Sequence, residues 1–368
     1  MKTLKFTIPI LIAAVSLLIV SGGIGGGALA TSSGMVNPTP AALARIPASS
    51  SVDIDSQWVD NDLAVDSSLT GSVLTTQSEA LVPSDPYVGE QWALSQIQMS
   101  ELWQITTGNS EILVAVLDTG IDRNHEDLKG KVAVEINFTD SLTPGDVYGH
   151  GTHIAGIIAA SGDNGTGIVG MAPDSQLINV KIADDKGRCQ ASAVARGIIW
   201  AVNNGANVIN ISVELGEPSP ELESAVNYAW SWGVVIITAA GNEGSQSPVY
   251  PACYENCIAV AATRQDDTLA PLSNYGDWVD VAAPGFNIYS TLPDNSYGYK
   301  SGTSFASAYV SGLAALLFSV VTDTNGDGRL NDEVRAAIED GCQQASTNSV
   351  GCGRIDATTA LAEIGYIS

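Results

Sequence analysis

Short, continuous apolar runs alternate with helix-patterned segments along most of this chain, and that alternation restricts the fold more than any other feature. The runs ILVAVLD (112–118), QLINVKIA (176–183), NVINISV (207–213) and GVVIITAAGN (233–242) are rich in Val and Ile and have no consistent polar face. Between them lie HIAGIIAA (153–160), ASAVARGIIWAVNNG (191–205) and ELESAVNYAWSWG (221–233), which carry helical patterns. Strands buried on both faces read in this way, and strands separated by helices must be joined by crossovers. The predicted class is therefore α/β, with three layers: a mostly parallel central sheet flanked by helices. In such sheets ligands bind outside the carboxyl ends of the strands. Asp118 closes the first run, Asn210 to Ser212 lie near the end of the third, and Asn242 closes the fourth, so polar groups collect at one edge.

The N-terminal 82 residues have a different texture. Lys2 and Lys5 precede FTIPILIAAVSLLIV, and Ala28 and Ala30 then supply small residues for cleavage, so residues 1–30 read as a signal peptide. The competing reading, a retained membrane anchor, is opposed by the glycine-rich stretch 22–27, which interrupts the run before bilayer length. The expected location is extracellular, with no stable membrane association after signal removal. Residues 31–82 are rich in Ser, Thr, Pro and Asp and read as a pro-segment or linker. Residues 83–368 form the folded domain. A net charge of -25 favours solubility and cation binding and argues against nucleic acid or anionic membranes as partners. The domain is expected to work as a monomer. Five cysteines in an exported chain predict disulfides with one thiol left over. The expected pairs are Cys253 with Cys257 and Cys342 with Cys352, leaving Cys189 free.

The segment SGTSFASAYVSG (301–312) sets Ser304 among small residues and leads into the apolar LAALLFSVV. A hydroxyl used as a nucleophile needs room for an acyl group and gains from a helix N-terminus. A Ser or Thr cap on a core helix would fit the same string. Two further segments, VLDTGID (116–122) and GHGTHIAG (149–156), complete a set in which Ser304 attacks, His150 accepts its proton and Asp118 orients the imidazole. The other histidines, His125 and His153, do not make a zinc site with His150, because no Glu follows it as in metallopeptidases. His153 reads as a buried helix residue behind the site.

Taken in this order, the three segments resemble the subtilisin-like serine peptidases, the subtilase family, and within it the thermitase-like branch. The chain order Asp, His, Ser is that of subtilisin itself. The similarity runs from about residue 85 to the C-terminus and includes AAGNEG (239–244) and YGDWVDVAAPG (275–285). It implies a three-layer subtilisin-like fold and an exported serine endopeptidase that hydrolyses polypeptides through an acyl-enzyme on Ser304. It also implies that Asn242 donates to the oxyanion, and that structural calcium is held by Asp85, Asp127, Asn164, Thr166, Ile168 and Gly162, with side-chain or carbonyl oxygens. A second calcium candidate is the EF-hand-like start Asp323, Asn325, Asp327, where the twelfth position is Val334 and Glu333 falls one residue early. The alternative there is an acidic loop in which Asn331 or Asp332 caps a helix.

The family holds substrate between two extended strands, and here both depart from its pattern. One reads Ser212, Val213, Glu214, Leu215; the other reads Gly187, Arg188, Cys189; Gly241 is also expected to bind substrate. Glu214 either lines the pocket for the residue before the scissile bond (P1) and favours a basic side chain, or pairs with Arg188 across the groove and narrows it, or points to solvent. Ala308 and Tyr309 stand where the family has Pro-His, which is expected to relax the first turns of the nucleophile helix. Phe305 is expected to crowd the leaving-group side. These departures leave open a transpeptidase or ligase, and a catalytically idle scaffold on the same fold. The 31–82 segment is short for the family's inhibitory domain and shows no clear match to it.

Overall fold

The computed structural model describes residues 83–345 and 350–366, together with the backbone of 51–53. The expected signal peptide and nearly all of the expected pro-segment lie outside the described residues. In chain order the elements are β1 (Ser51–Asp53), α1 (Trp92–Gln96), α2 (Met99–Trp103), β2 (Leu113–Asp118), β3 (Val132–Asn137), α3 (His150–Ala159) and β4 (Gln176–Lys181). There follow β5 (Arg188–Gln190), α4 (Ala191–Asn203), β6 (Val208–Ile211), α5 (Pro220–Ser231), β7 (Val235–Ala239) and β8 (Cys257–Thr263). The chain continues with β9 (Val281–Pro284), β10 (Ile288–Leu292), β11 (Ser296–Lys300), α6 (Thr303–Phe318), α7 (Asn331–Asp340) and α8 (Ala357–Glu363).

Seven strands make one sheet in the order β3-β4-β2-β6-β7-β8-β9, and every neighbouring pair is parallel. β2 lies between β4 and β6, so the winding direction reverses there and a crevice opens at its carboxyl end. Side chains alternate between two cores, as the period of a strand requires. Val114 and Val116 of β2 enter the core shared with α3 and α6, while Ala115 and Leu117 enter the core shared with α4 and α5. The predicted three-layer α/β class is the observed one.

α6 explains why small residues surround Ser304. All sixteen of its residues are buried, and it packs on α3 and on the sheet. A Cβ on Gly312 would lie 2.3 Å from Met171 Cβ, and one on Gly285 would lie 2.6 Å from Ala262 Cβ. Bulk has been removed so that a helix wrapped in protein can be approached closely from every side. α6 runs unbroken through Ala308 and Tyr309, both buried. One expectation needs correction here. Phe305 is buried against the rings of His150 and His153, with centroids 5.6 and 4.6 Å apart, and serves as packing beneath the histidines.

The cysteine expectation holds in one pair and fails in the other. Cys342 and Cys352 are joined, whereas Cys253 and Cys257 are both free thiols, as is Cys189. Cys257 opens β8 with its side chain buried in the core under α4 and α5, while Cys253 sits half-buried in the preceding turn. Burial raises the Cys189 thiol to about 12 and the Cys257 thiol further.

Asp280 fastens the C-terminal elements to the sheet edge. Its Oδ2 accepts from Ala259 N at 2.7 Å, its Oδ1 lies 3.3 Å from Arg335 Nη2 on α7, and its carbonyl accepts from Cys352 N. Burial outweighs these contacts and raises its pKa from 3.8 to about 6. The folded state thus binds this proton more tightly than the unfolded chain does. The stability it contributes is fully present below about pH 4 and is lost as pH rises through the folded value. Asp280→Asn cannot ionise. The melting temperature of the wild type minus that of this variant should therefore fall between about pH 4 and about pH 7, and a flat difference would refute the shift.

Candidate active site

Asp118 is the last residue of β2 and is wholly buried. A carboxylate there must find partners, because water is excluded. Thr119 N donates to its Oδ1 at 2.6 Å, and His150 Nδ1 lies 2.7 Å from both carboxylate oxygens. His150 opens α3 and is 1% exposed. The close approach requires Gly151, since a Cβ there would lie 2.1 Å from Gly120 O and 3.0 Å from Asp118 Cβ. One residue escaped the sequence reading. Asp146 is buried and accepts from Gly149 N (2.8 Å), Thr152 N (2.8 Å), Thr152 Oγ1 (2.7 Å) and Thr119 Oγ1 (2.9 Å). It caps the helix that presents His150, where Gly149 has no side chain to do so. Burial raises its pKa, against the pull of these donors. An acid four residues before a histidine that opens a helix was the available signal.

Ser304 is the second residue of α6, in the first turn, where backbone N–H groups have no intrahelical acceptor. Beside it lies Asn242, 3% exposed. Asn242 Oδ1 accepts from Thr303 N at 2.8 Å and Thr303 Oγ1 at 3.2 Å, and Thr303 Oγ1 also accepts from Gly241 N at 3.0 Å. These bonds fix which way the amide faces. Its Nδ2 is buried and meets no acceptor among the described residues. Behind α6 a polar tether joins it to β6. Ser307 and Ser311 hydroxyls donate to Asn210 Oδ1 at 3.1 and 3.0 Å, and Asn210 Nδ2 donates to Ser212 Oγ at 3.1 Å.

The two expected substrate strands flank this edge. Ser212 and Val213 are buried, and the strand is anchored further on by a pair of bonds between Leu215 and Tyr250, 2.8 and 2.9 Å. Glu214 is half-buried, and its carboxylate leans over Gly241. On the other side, Gly187 turns with a φ of 75° and β5 alternates, with Arg188 and Gln190 exposed and Cys189 buried. The Arg188 guanidinium is held by Asp184 Oδ2 through Nε at 2.9 Å and Nη2 at 2.6 Å.

A buried Asp-His pair, a serine at a helix N-terminus and a side-chain amide fixed beside it are the parts that acyl transfer needs. The comparisons agree. A sequence profile of the subtilase family matches residues 109–353. The chain belongs to the subtilase family. It is 46% identical over 286 residues to the thermophilic serine proteinase of Bacillus sp. (strain AK1), an alignment covering 77% of this chain and 70% of that one. Against thermitase of Thermoactinomyces vulgaris it is 44% identical over 283 residues, covering 76% of this chain and 99% of the relative. Among solved structures, a protease of Pseudoalteromonas arctica PAMC 21717 matches with a TM-score of 0.69 at 29% identity, covering 76% of this chain and 98% of that one. This subtilase is a serine endopeptidase of the thermitase-like branch, and its substrates are polypeptides.

Calcium is common among subtilases, and the residues expected to hold it here do gather. Asp127 Oδ1 meets Asn164 Nδ2 (2.9 Å) and Thr166 Oγ1 (3.1 Å), and its Oδ2 accepts from Ile168 N (2.9 Å). Asp85 accepts from Asp163 N (2.8 Å) and Asn164 N (3.0 Å). Ile168 therefore meets Asp127 through its N–H. The expected second site is differently engaged. Asp323 accepts from Gly326 N and Gly328 N, Asp327 is paired with Arg329 at 2.6 Å, and Asn325 donates to Asp332. Neither Asn331 nor Asp332 caps α7, whose cap position is Leu330. The Asn331 amide instead reaches Trp230 O at 3.2 Å. The histidines stay apart: His125 Nε2 lies 3.1 Å from Ser296 O and His153 Nε2 3.1 Å from Gly298 O. Burial keeps His153 well below the usual histidine range.

Replacing Asn242 by Ala should lower kcat about 10²- to 10³-fold with little change in KM, a magnitude taken from the corresponding asparagine of subtilisin and not from this geometry. Steady-state kinetics on a peptide substrate decides it. A rise in KM alone would mean that the amide binds substrate and transition state equally.

Proposed function

We propose that Ser304 Oγ is the nucleophile of this endopeptidase, with His150 as its base and Asp118 as the group that fixes the imidazole tautomer. The observation that supports this reading is the Asn242 amide: buried, held through its oxygen by Thr303, the residue before Ser304, and with its nitrogen meeting no acceptor among the described residues. In the first step Ser304 Oγ attacks the scissile carbonyl and His150 takes the hydroxyl proton. The developing oxyanion accepts from Asn242 Nδ2 and Ser304 N. The leaving amine takes the proton from His150, and water then repeats the sequence to release the acid. A serine-reactive fluorophosphonate should label the processed protein, and Ser304→Ala should abolish both labelling and peptide hydrolysis. Labelling that persists in the variant would move the nucleophile elsewhere.

The proposal extends to the N-terminal segments. Residues 1–30 are a signal peptide that exports the chain, and among the described residues no helix is long and apolar enough to cross a membrane. Residues 31–82 act as a pro-segment. What supports this is β1, which pairs antiparallel with β5 through Ser51 with Gln190, Val52 with Cys189 and Asp53 with Arg188. A strand on that edge uses the backbone groups that an extended substrate would use. Full-length protein should gain activity only as its N-terminus is cut. Equal activity before and after cutting would leave residues 31–82 as a linker.

We also assign a calcium ion to the loop 162–168. The donors there are hard oxygens from three separated segments, the side chains of Asp85, Asp127 and Asn164 among them. Gly167 is open to this arrangement, since a Cβ would lie 2.0 Å from Asp127 Oδ2. The ion would supply positive charge between Asp85 and Asp127 and tie the N-terminal arm to the core. A chelator should lower the melting temperature of the wild type, and Asp127→Ala should lower it too while removing the response to chelator.

A further inference from the structure

We infer that Glu214 makes this subtilase select a cationic residue, lysine or arginine, at P1; the inference rests on the assignment of Ser304 and Asn242 above. The acyl carbonyl must lie between Ser304 Oγ and Asn242 Nδ2. The side chain on that carbonyl's residue therefore projects over the neighbouring backbone, and Gly241 immediately precedes Asn242. Gly241 has a φ of 101°, a conformation open to glycine, so it carries no side chain into this space. What faces it instead is charge. A Cβ built on Gly241 would lie 2.9 Å from Glu214 Oε2 and 3.0 Å from Glu214 Cδ.

The same point lies 2.3 Å from Asn274 Nδ2, which donates to Ala240 O at 3.0 Å and to Glu243 Oε2 at 2.9 Å. A second carboxylate thus stands one hydrogen bond away from the glycine. Glu214 is also rigidly placed. Two residues earlier, Ser212 belongs to the buried tether to α6, and one residue later Leu215 is doubly bonded to Tyr250. A half-buried carboxylate on a segment anchored at both ends gives an entering cation a partner at a reduced cost of ordering that partner. The chain's net charge of -25 adds a field that draws cationic segments toward the groove.

A neutral apolar side chain placed there would have to desolvate the Glu214 carboxylate and offer nothing in return. The consequence is a preference in kcat/KM for cationic over apolar P1 residues, arising at one side chain.

The test is a matched pair of peptide anilides that differ only at P1, Lys against Leu, hydrolysed by processed wild type, Glu214→Gln and Glu243→Gln. Fluorophosphonate labelling of each variant shows that its site is assembled. The wild type should favour Lys, Glu214→Gln should reduce the Lys-to-Leu ratio by roughly tenfold or more, and Glu243→Gln should reduce it less. Added salt should erode the wild-type ratio more than that of Glu214→Gln. A wild type that favours Leu, or a ratio unmoved by Glu214→Gln, would overturn the assignment while leaving the peptidase intact. No cleavage of either substrate together with no labelling would overturn the peptidase assignment itself, and the pocket with it.

Discussion

A carboxylate that has lost all contact with water at the end of a central strand governs much of this structure. Asp118 is fully buried, and such a group is stable only with donors close by. His150 and Thr119 provide them. Each carries a demand of its own: the imidazole must enter at a helix start, and the helix start must come within contact of the strand. Gly151 removes the side chain that would collide, and Asp146 caps the helix in place of the missing side chain of Gly149. The Asp-His pair is therefore one part of a buried polar network whose remaining members hold two secondary elements at a fixed separation.

The Ser304 side is built by the opposite means, through the absence of bulk. α6 is surrounded by protein, and small residues let α3, the sheet and the Met171 segment come close to it. Within that packing a few polar contacts set direction. Thr303 uses both its N–H and its hydroxyl on the same oxygen of Asn242, which leaves the nitrogen without an acceptor among the described residues. Ser307, Ser311 and Asn210 then tie the helix to β6 and so to the strand that leads into Glu214. The chemistry and the groove share one frame.

Much of this was legible before any coordinates. The apolar runs located β2, β4, β6 and β7 because strands buried on both faces have no polar side to confuse the pattern. The acid, the imidazole, the alcohol and the amide each stood in a short motif, and motifs depend on local sequence. Asp146 is harder to find, because an acid four residues before a helix-opening histidine is a weak signal until the fold shows that it accepts from Gly149 N and Thr152 N. Cys253 and Cys257 were paired on proximity in sequence, which says nothing about the burial that sends one thiol into the core. Phe305 stands where the resembling family has Met, which points to the leaving-group side of the groove, whereas the helix turns it beneath the histidines.

By itself, the sequence determined the layer architecture and the family, since these follow from periodicity and from compact local motifs. Only the tertiary structure decided where Glu214 and Arg188 direct their charge. Both are long side chains with a wide reach. In the fold the Arg188 guanidinium meets Asp184 on its own turn, and the Glu214 carboxylate lies over Gly241. Their positions depend on how β5, the segment after β6 and the end of β7 are brought together, a distance that no local stretch of sequence contains.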